Sequence, residues 1–162
     1  MRVLLALCLL FAAAASADTM SGVVIVVIDG DTVLFKPDHP RADSRAFLKI
    51  RLADIDAPEK DQPYGDAASR ELAALVLHQR VEVSTVATDT YGRMIARIQI
   101  SAVPVNAELV RRGLAWSSTR SRNDSGLKHA QREARLAQRG LWQDAEPVPP
   151  WVWRQEHSAF AY

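Results

Sequence analysis

Thiols are almost absent from this chain: Cys8 is the single cysteine among 162 residues. A disulfide or a cysteine-ligated zinc each needs at least two thiols, so neither is available. The four histidines, His39, His78, His129 and His157, show no metal-ligand spacing such as His-x-x-x-His and read as ordinary surface or rim residues. There is no Gly-x-Ser-x-Gly elbow and no Gly-rich phosphate loop, which weighs against acyl transfer and nucleoside-triphosphate chemistry. Charge of one sign is also lacking. Lys+Arg 20 against Asp+Glu 19 gives a net charge of +1, so any polyanion must be bound by local patches rather than by bulk charge. With 48% hydrophobic and 24% charged positions, 7 Gly and 8 Pro, the composition excludes a disordered or fibrous chain and suits one compact domain.

One long apolar run exists, from Val3 to Ala15, preceded by Arg2 and followed by Ala15-Ser16-Ala17. That is the pattern of a secretory signal with a small-x-small cleavage site, over residues 1–17. A membrane anchor is the competing reading, but the run is shorter than the roughly 18–20 residues that span a bilayer. Bulky Leu7 before Cys8 argues against a lipoprotein site. Cleavage after Ala17 leaves a mature chain without cysteine, suited to an oxidising compartment. We expect a secreted or periplasmic protein, soluble, monomeric and without stable membrane association. Charge along the mature chain is lopsided: residues 18–89 hold 8 basic and 13 acidic side chains, residues 90–162 hold 11 and 6. A cation site beside an anion-binding surface would produce this, and so would a solvated mixed surface.

Residues 21–36, SGVVIVVIDGDTVLFK, are two β-branched runs split by Asp29-Gly30, the dipeptide that supplies positive φ angles to a tight hairpin turn. Residues 37–45 are turn-formers, and Ala46–Ile55 alternates as a third strand. Residues 58–65 form a polar loop. Ala68, Leu72, Leu75 and Val76 then mark a helix over Asp66–Gln79. Val81–Val86 and Met94–Ile100 form a second hairpin around ATDTYGR. Asn106–Arg112 predicts a short helix closed by Gly113, and Asp124–Arg139 a longer one ending at Gly140. From Ala145 onward the Pro-rich tail, 145–162, begins irregularly. Five short strands with three helices predict an α+β domain over 18–144, a five-stranded oligonucleotide-binding-type (OB-fold) barrel.

The densest carboxylates are Asp29 and Asp31 in the first turn and Asp54, Asp56 and Glu59 at the end of the third strand. Hard oxygen donors of this kind suit Ca²⁺ or Mg²⁺. Asp29 reads best as a turn residue. For Asp31 and Asp56 the spacing leaves a metal site and plain turn positions both open. Arg51 lies five residues before Asp56 and so faces the other way on an ideal strand, unless a bulge or end bend intervenes. Arg93, in Tyr91-Gly92-Arg93, could grip a phosphate with its fork, though alone it reads as a solvated turn residue. Arg111, Arg112, Arg120, Arg122, Lys128, Arg132, Arg135 and Arg139, with Trp116 among them, read more readily as a solvated helical face than as a nucleic-acid surface.

Taken in order, VIDGDTV at 27–33, IRLADIDAPE at 50–59, YGDAAS at 64–69, DTYGR at 89–93, NAELVRRGLAW at 106–116 and RGLW at 139–142 resemble the staphylococcal nuclease (thermonuclease) family. The resemblance runs from the first hairpin to the last expected helix. It implies an OB-type barrel with three helices and a Ca²⁺-dependent phosphodiesterase acting on DNA and RNA, cleaving on the 5′-oxygen side to leave 3′-phosphate ends. It further implies that Asp31, Asp56 and the backbone carbonyl of Ala57 hold the metal, and that Glu59 lies beside the attacking water. Arg51 and Arg93 would contact the scissile phosphate, with Tyr91 near the nucleotide's phosphate. Ala57 replaces a hydroxyl residue often found there, Thr90 is not basic, and the 60–64 loop is short. Two other readings compete: a non-catalytic nucleic-acid-binding or protein-interaction module on the same barrel, and a metal-dependent phosphatase acting on nucleotides.

Overall fold

Two β-branched runs open the fold as an antiparallel hairpin, β1 (Thr19–Asp29) and β2 (Thr32–Pro37), with Asp29 opposite Thr32. The computed structural model describes residues 19–39, 46–118 and 125–158, so the expected leader at 1–17 and Arg120, Arg122 and Asp124 lie outside the described residues. The hairpin loop is Gly30-Asp31, and neither residue has the positive φ that Asp29-Gly30 predicts. Glycine is required there for space. A Cβ on Gly30 would stand 2.8 Å from the Cβ atoms of both Ala57 and Ala68. The hairpin tip is thereby pressed against the segment that carries Ala57.

The third strand is shorter than its alternation predicts. β3 (Leu48–Leu52) stops at an Ala53-Asp54 turn, where Asp54 has φ 65°, and a two-residue β4 (Ile55–Asp56) follows. Helix α1 (Gly65–Val76) buries Ala68, Leu72 and Val76, one face at helical spacing. β5 (Arg80–Thr88) and β6 (Met94–Ile100) form the second hairpin, extended by a short β7 (Val103–Pro104). β1 pairs with β5, and β6 pairs in parallel with β3, with Arg51 opposite Ile95. This last pairing closes β1, β2, β3, β5 and β6 into a mixed barrel, the oligonucleotide-binding-type α+β architecture. Phe35, Ile50, Leu52, Leu72, Ile98 and Leu109 fill it and are fully buried. Each such side chain contributes about 1.5–3 kcal/mol by leaving water.

Helix α2 (Val105–Arg111) packs on the barrel and buries Asn106. Its amide accepts from the Ile98 N–H at 3.1 Å and donates to the Ala53 carbonyl at 2.8 Å, fixing the turn after β3. β8 (Trp116–Ser117) then pairs with β4, so the segment after that turn leaves the barrel sheet for a separate two-stranded ribbon. α3 (Ser125–Leu136), a 3₁₀ turn at Gly140–Gln143 and a further helix, α4 (Pro150–Ser158), complete the described chain. α4 lies beyond the three expected helices. Residues 145–149 are irregular as predicted, but Pro150 occupies the first helical position, where its missing N–H is harmless and its fixed φ suits the helix. Trp151 anchors α4 edge-on against Trp116, at 5.5 Å between ring centroids, beside the Trp116–Trp142–Leu141–Ala134 cluster.

Candidate active site

Asp31 sits at the hairpin tip and is 3% exposed. Its backbone N–H donates to Asp29 Oδ1 at 3.0 Å, so Asp29 is the turn residue its sequence context suggests. Asp31 Oδ2 accepts the Ala57 N–H at 2.8 Å, while Oδ1 accepts from the Thr32 hydroxyl and from Arg51. Burial pushes the Asp31 carboxyl up to about 7; Arg51 and the Ala57 amide pull the other way, and Asp29 and Asp56 add to the rise.

Arg51 reaches both metal-ligand candidates at once. Its Nη1 binds Asp31 Oδ1, and its Nη2 donates to Asp56 Oδ1 at 2.6 Å. The opposite-face objection from strand periodicity is removed by the end bend: the Ala53-Asp54 turn swings Asp56 onto β4, back toward the Arg51 side chain. Glu59 follows three residues later, its N–H donating to Gln62 Oε1 at 3.1 Å. Gly65 must be glycine there, because a Cβ would lie 1.8 Å from the Glu59 carbonyl oxygen.

The second hairpin supplies the remaining expected groups. Asp89 accepts the Tyr91 and Arg93 N–H groups at 3.0 and 2.9 Å and the Arg93 Nε at 2.7 Å, with Gly92 at φ 73°. Arg93 is thus tied to Asp89 rather than to the carboxylate cluster. It lies just before β6, two residues ahead of Ile95, the partner of Arg51. Tyr91 is 84% exposed at the loop tip, and the Arg93 guanidinium lies 5.6 Å from its ring centroid.

Sequence reading missed Arg154 and Gln62. Arg154, on α4, donates to Asp56 Oδ2 at 2.7 Å and to Glu59 Oε1 at 2.5 Å. Gln62 is buried in the 60–64 loop and donates to the Val148 carbonyl at 2.7 Å, tying the chain before α4 to the loop after Glu59. An open groove of about 640 Å³ next to Glu59 is lined by Lys60, Tyr64, Arg70 and Trp153 among others. The basic helices are largely engaged internally. Glu108 holds Arg111 and Arg112, the latter also bound to Glu71, while Arg135 stacks 4.1 Å from the Trp142 centroid. Arg132 meets His129, and His157 stacks on Trp153.

Among the described residues, no three or more His, Cys, Asp or Glu side chains form a ready-made metal cluster. The donor set of Asp31, Asp56 and the Ala57 carbonyl nevertheless fits a hard cation, which takes carboxylate, carbonyl and water oxygens and needs no nitrogen or sulfur.

Barrel and site together define an α+β barrel protein whose acidic hairpin tip and strand end share one arginine. The family model described as staphylococcal nuclease homologue matches residues 49–144. An uncharacterized endonuclease of Escherichia coli O157:H7 is 42% identical over 134 residues, covering 82% of this chain and 84% of its own. Protein ParB of Escherichia coli is 34% identical over 96% of this chain and 91% of its own length. The micrococcal nuclease of Shigella flexneri is 33% identical over 145 residues, 83% of this chain and 80% of its own. The chain belongs to the staphylococcal nuclease family.

Proposed function

We propose that this protein is an exported, monomeric, Ca²⁺-dependent nuclease that hydrolyses phosphodiester bonds of DNA and RNA, with its leader at residues 1–17 removed. The observation that carries the reading is the meeting of Asp31, Asp56 and Arg51, from three separate elements, beside Glu59. Nuclease-named relatives in the same family support it.

A phosphodiester is protected by its own negative charge, so catalysis must neutralise it, deliver water and stabilise the charge that grows in the five-coordinate transition state. Asp31, Asp56 and the Ala57 carbonyl would hold the cation, which when bound would supply Lewis-acid polarisation of the phosphate. Glu59 takes the proton from the attacking water as its oxygen bonds to phosphorus. Arg51 and Arg93 receive the equatorial oxygens, as bidentate guanidinium forks do for phosphates. The bond from phosphorus to the 5′ oxygen breaks, and that oxygen takes a proton from solvent, leaving a 3′-phosphate and a 5′-hydroxyl. Tyr91, exposed over Arg93, lies where it can border the substrate's phosphates. A binding-only module has no use for these acids and arginines together.

Incubation of the mature protein with single-stranded DNA and with RNA, in Ca²⁺ or in chelator, tests the reading. Cleavage of both polymers in Ca²⁺ alone, with 3′-phosphate ends, is expected. Intact polymers alongside consumed mononucleotides would instead identify a phosphatase, and cleavage in excess chelator would remove the metal from the account.

A further inference from the structure

Asp56 is 7% exposed, and its carboxylate takes three N–H donors from two arginines. Arg51 donates to Oδ1 at 2.6 Å; Arg154 donates to Oδ2 at 2.7 Å and to Oδ1 at 3.3 Å. The same Arg154 Nη1 also reaches Glu59 Oε1 at 2.5 Å. One guanidinium from the C-terminal helix therefore bridges the metal-ligand carboxylate and the carboxylate assigned to the water. Its placement is built rather than incidental. Gln62 holds the Val148 carbonyl, Trp151 seats against Trp116, and the Val152 and Trp153 N–H groups both bond to the Pro149 carbonyl.

A carboxylate offers about four lone-pair positions. With three already engaged on Asp56, one position remains, and a divalent ion taking it would sit against two guanidinium charges, so its binding favours the departure of one. Charge decides which. With Asp31 ionised, Asp31, Asp56 and Glu59 carry three negative charges against two guanidiniums, and exchanging one guanidinium for a divalent cation brings the cluster to balance. Arg51 is the more enclosed, 23% exposed and shared with Asp31, whereas the Arg154 side chain is 45% exposed on the last described helix. Its half-exposed side chain can swing into water, whereas Arg51 would have to break from Asp31 as well.

We propose that Arg154 is a built-in cation that occupies the acidic site of the metal-free protein through Asp56 and Glu59, and that divalent-ion binding displaces it from Asp56. This rests on the reading of Asp31 and Asp56 as metal ligands. Arg154 therefore competes with the ion, so free protein binds Ca²⁺ more weakly than its carboxylates alone would. A helper that merely arranged those carboxylates would have the opposite effect on affinity.

Isothermal titration of the full chain with Ca²⁺, without nucleic acid, separates the two. Arg154→Gln should bind Ca²⁺ about tenfold tighter than the wild type, the direction expected when a nearby positive charge is removed from a partly desolvated site. Arg154→Lys keeps the charge but loses the fork, and its affinity should fall between the two. Circular dichroism and thermal melting in chelator establish that both variants fold. Equal or weaker Ca²⁺ binding by folded Arg154→Gln overturns the competition. Absence of Ca²⁺ binding by the wild type and both variants overturns this proposal and the metal reading together. Normal Ca²⁺ binding without nuclease activity would sink the proposed function, while the order of the three affinities would still decide the role of Arg154.

Discussion

Replacing Arg51 by Gln removes the one cation among the described residues that touches both Asp31 and Asp56. Stranding one member of a buried ion pair typically costs about 3–5 kcal/mol. Asp56 keeps Arg154, and Arg51 is itself 23% exposed, so the expected loss is smaller, about 2–3 kcal/mol in chelator at pH 8. For a chain of this size that lowers the melting temperature by about 5–10 °C. The sign of the pH dependence follows from Asp31, whose folded acid range is raised to about 7. Its ionised form is the unfavourable one when buried, so the penalty is full above that range and fades as pH falls and the carboxyl takes up a proton. Without Arg51 the range moves higher still. Ca²⁺ should restore most of the melting temperature by binding the folded state, yet turnover should stay down by about 10²–10³, because the guanidinium acts on charge that develops only in the transition state. Thermal melts at pH 5 and pH 8, with Ca²⁺ and with chelator, read the first effect, and initial rates on an oligonucleotide read the second. An Arg51→Gln protein that melts like the wild type at pH 8 in chelator would refute the reasoning about the shared cation.

Glu59→Gln and Arg93→Ala should each lower turnover by about 10²–10⁴ while oligonucleotide affinity, measured by fluorescence anisotropy in chelator, changes much less; wild-type turnover with poor binding would make Arg93 a docking residue. Glu108 should govern acid stability: burial alone would raise its carboxyl, but hydrogen bonds from Arg111 and Arg112 prevail and hold it below the ordinary 4.5. Its contribution is therefore full above that value and lost as pH falls through the lower folded range, so Glu108→Gln should be less stable at neutral pH and show a flatter acid limb in denaturant titrations. Gly30→Ala places a methyl against Ala57 and Ala68; overpacking of this kind costs about 1–3 kcal/mol, and titration should show weakened Ca²⁺ binding because Ala57 is a neighbour that must move.

Strand alternation and helical spacing carried the barrel a long way: both hairpins and the first three helices lie where the pattern puts them. What single-strand periodicity could not express is the break at Ala53-Asp54. A positive φ at an aspartate is set by tertiary contacts, here the Asn106 amide on the Ala53 carbonyl, and that bend is what lets Arg51 meet Asp56. Gly30 shows the converse. Its position in the turn is legible, but its reason is the closeness of Ala57 and Ala68, which are remote in sequence. Arg154 was hidden by the prolines around it, which read as irregular chain. Pro150 at a first helical position, followed by Trp151 and Trp153, was the available signal, because tryptophans on a short terminal helix need a surface to cover.

The proposed function puts phosphodiester hydrolysis at the Asp31–Arg51–Asp56 cluster. The most direct measurement is the initial rate of single-stranded DNA cleavage by Asp31→Ala in excess Ca²⁺, with folding verified by circular dichroism. Asp31 is buried and makes no contact that a neutral side chain would leave as an isolated charge, since Arg51 retains Asp56. The variant should therefore fold. Its rate should drop by about 10²–10³, the scale of losing an electrostatic stabiliser of the transition state. A folded Asp31→Ala protein that cleaves at the wild-type rate would place the active site elsewhere.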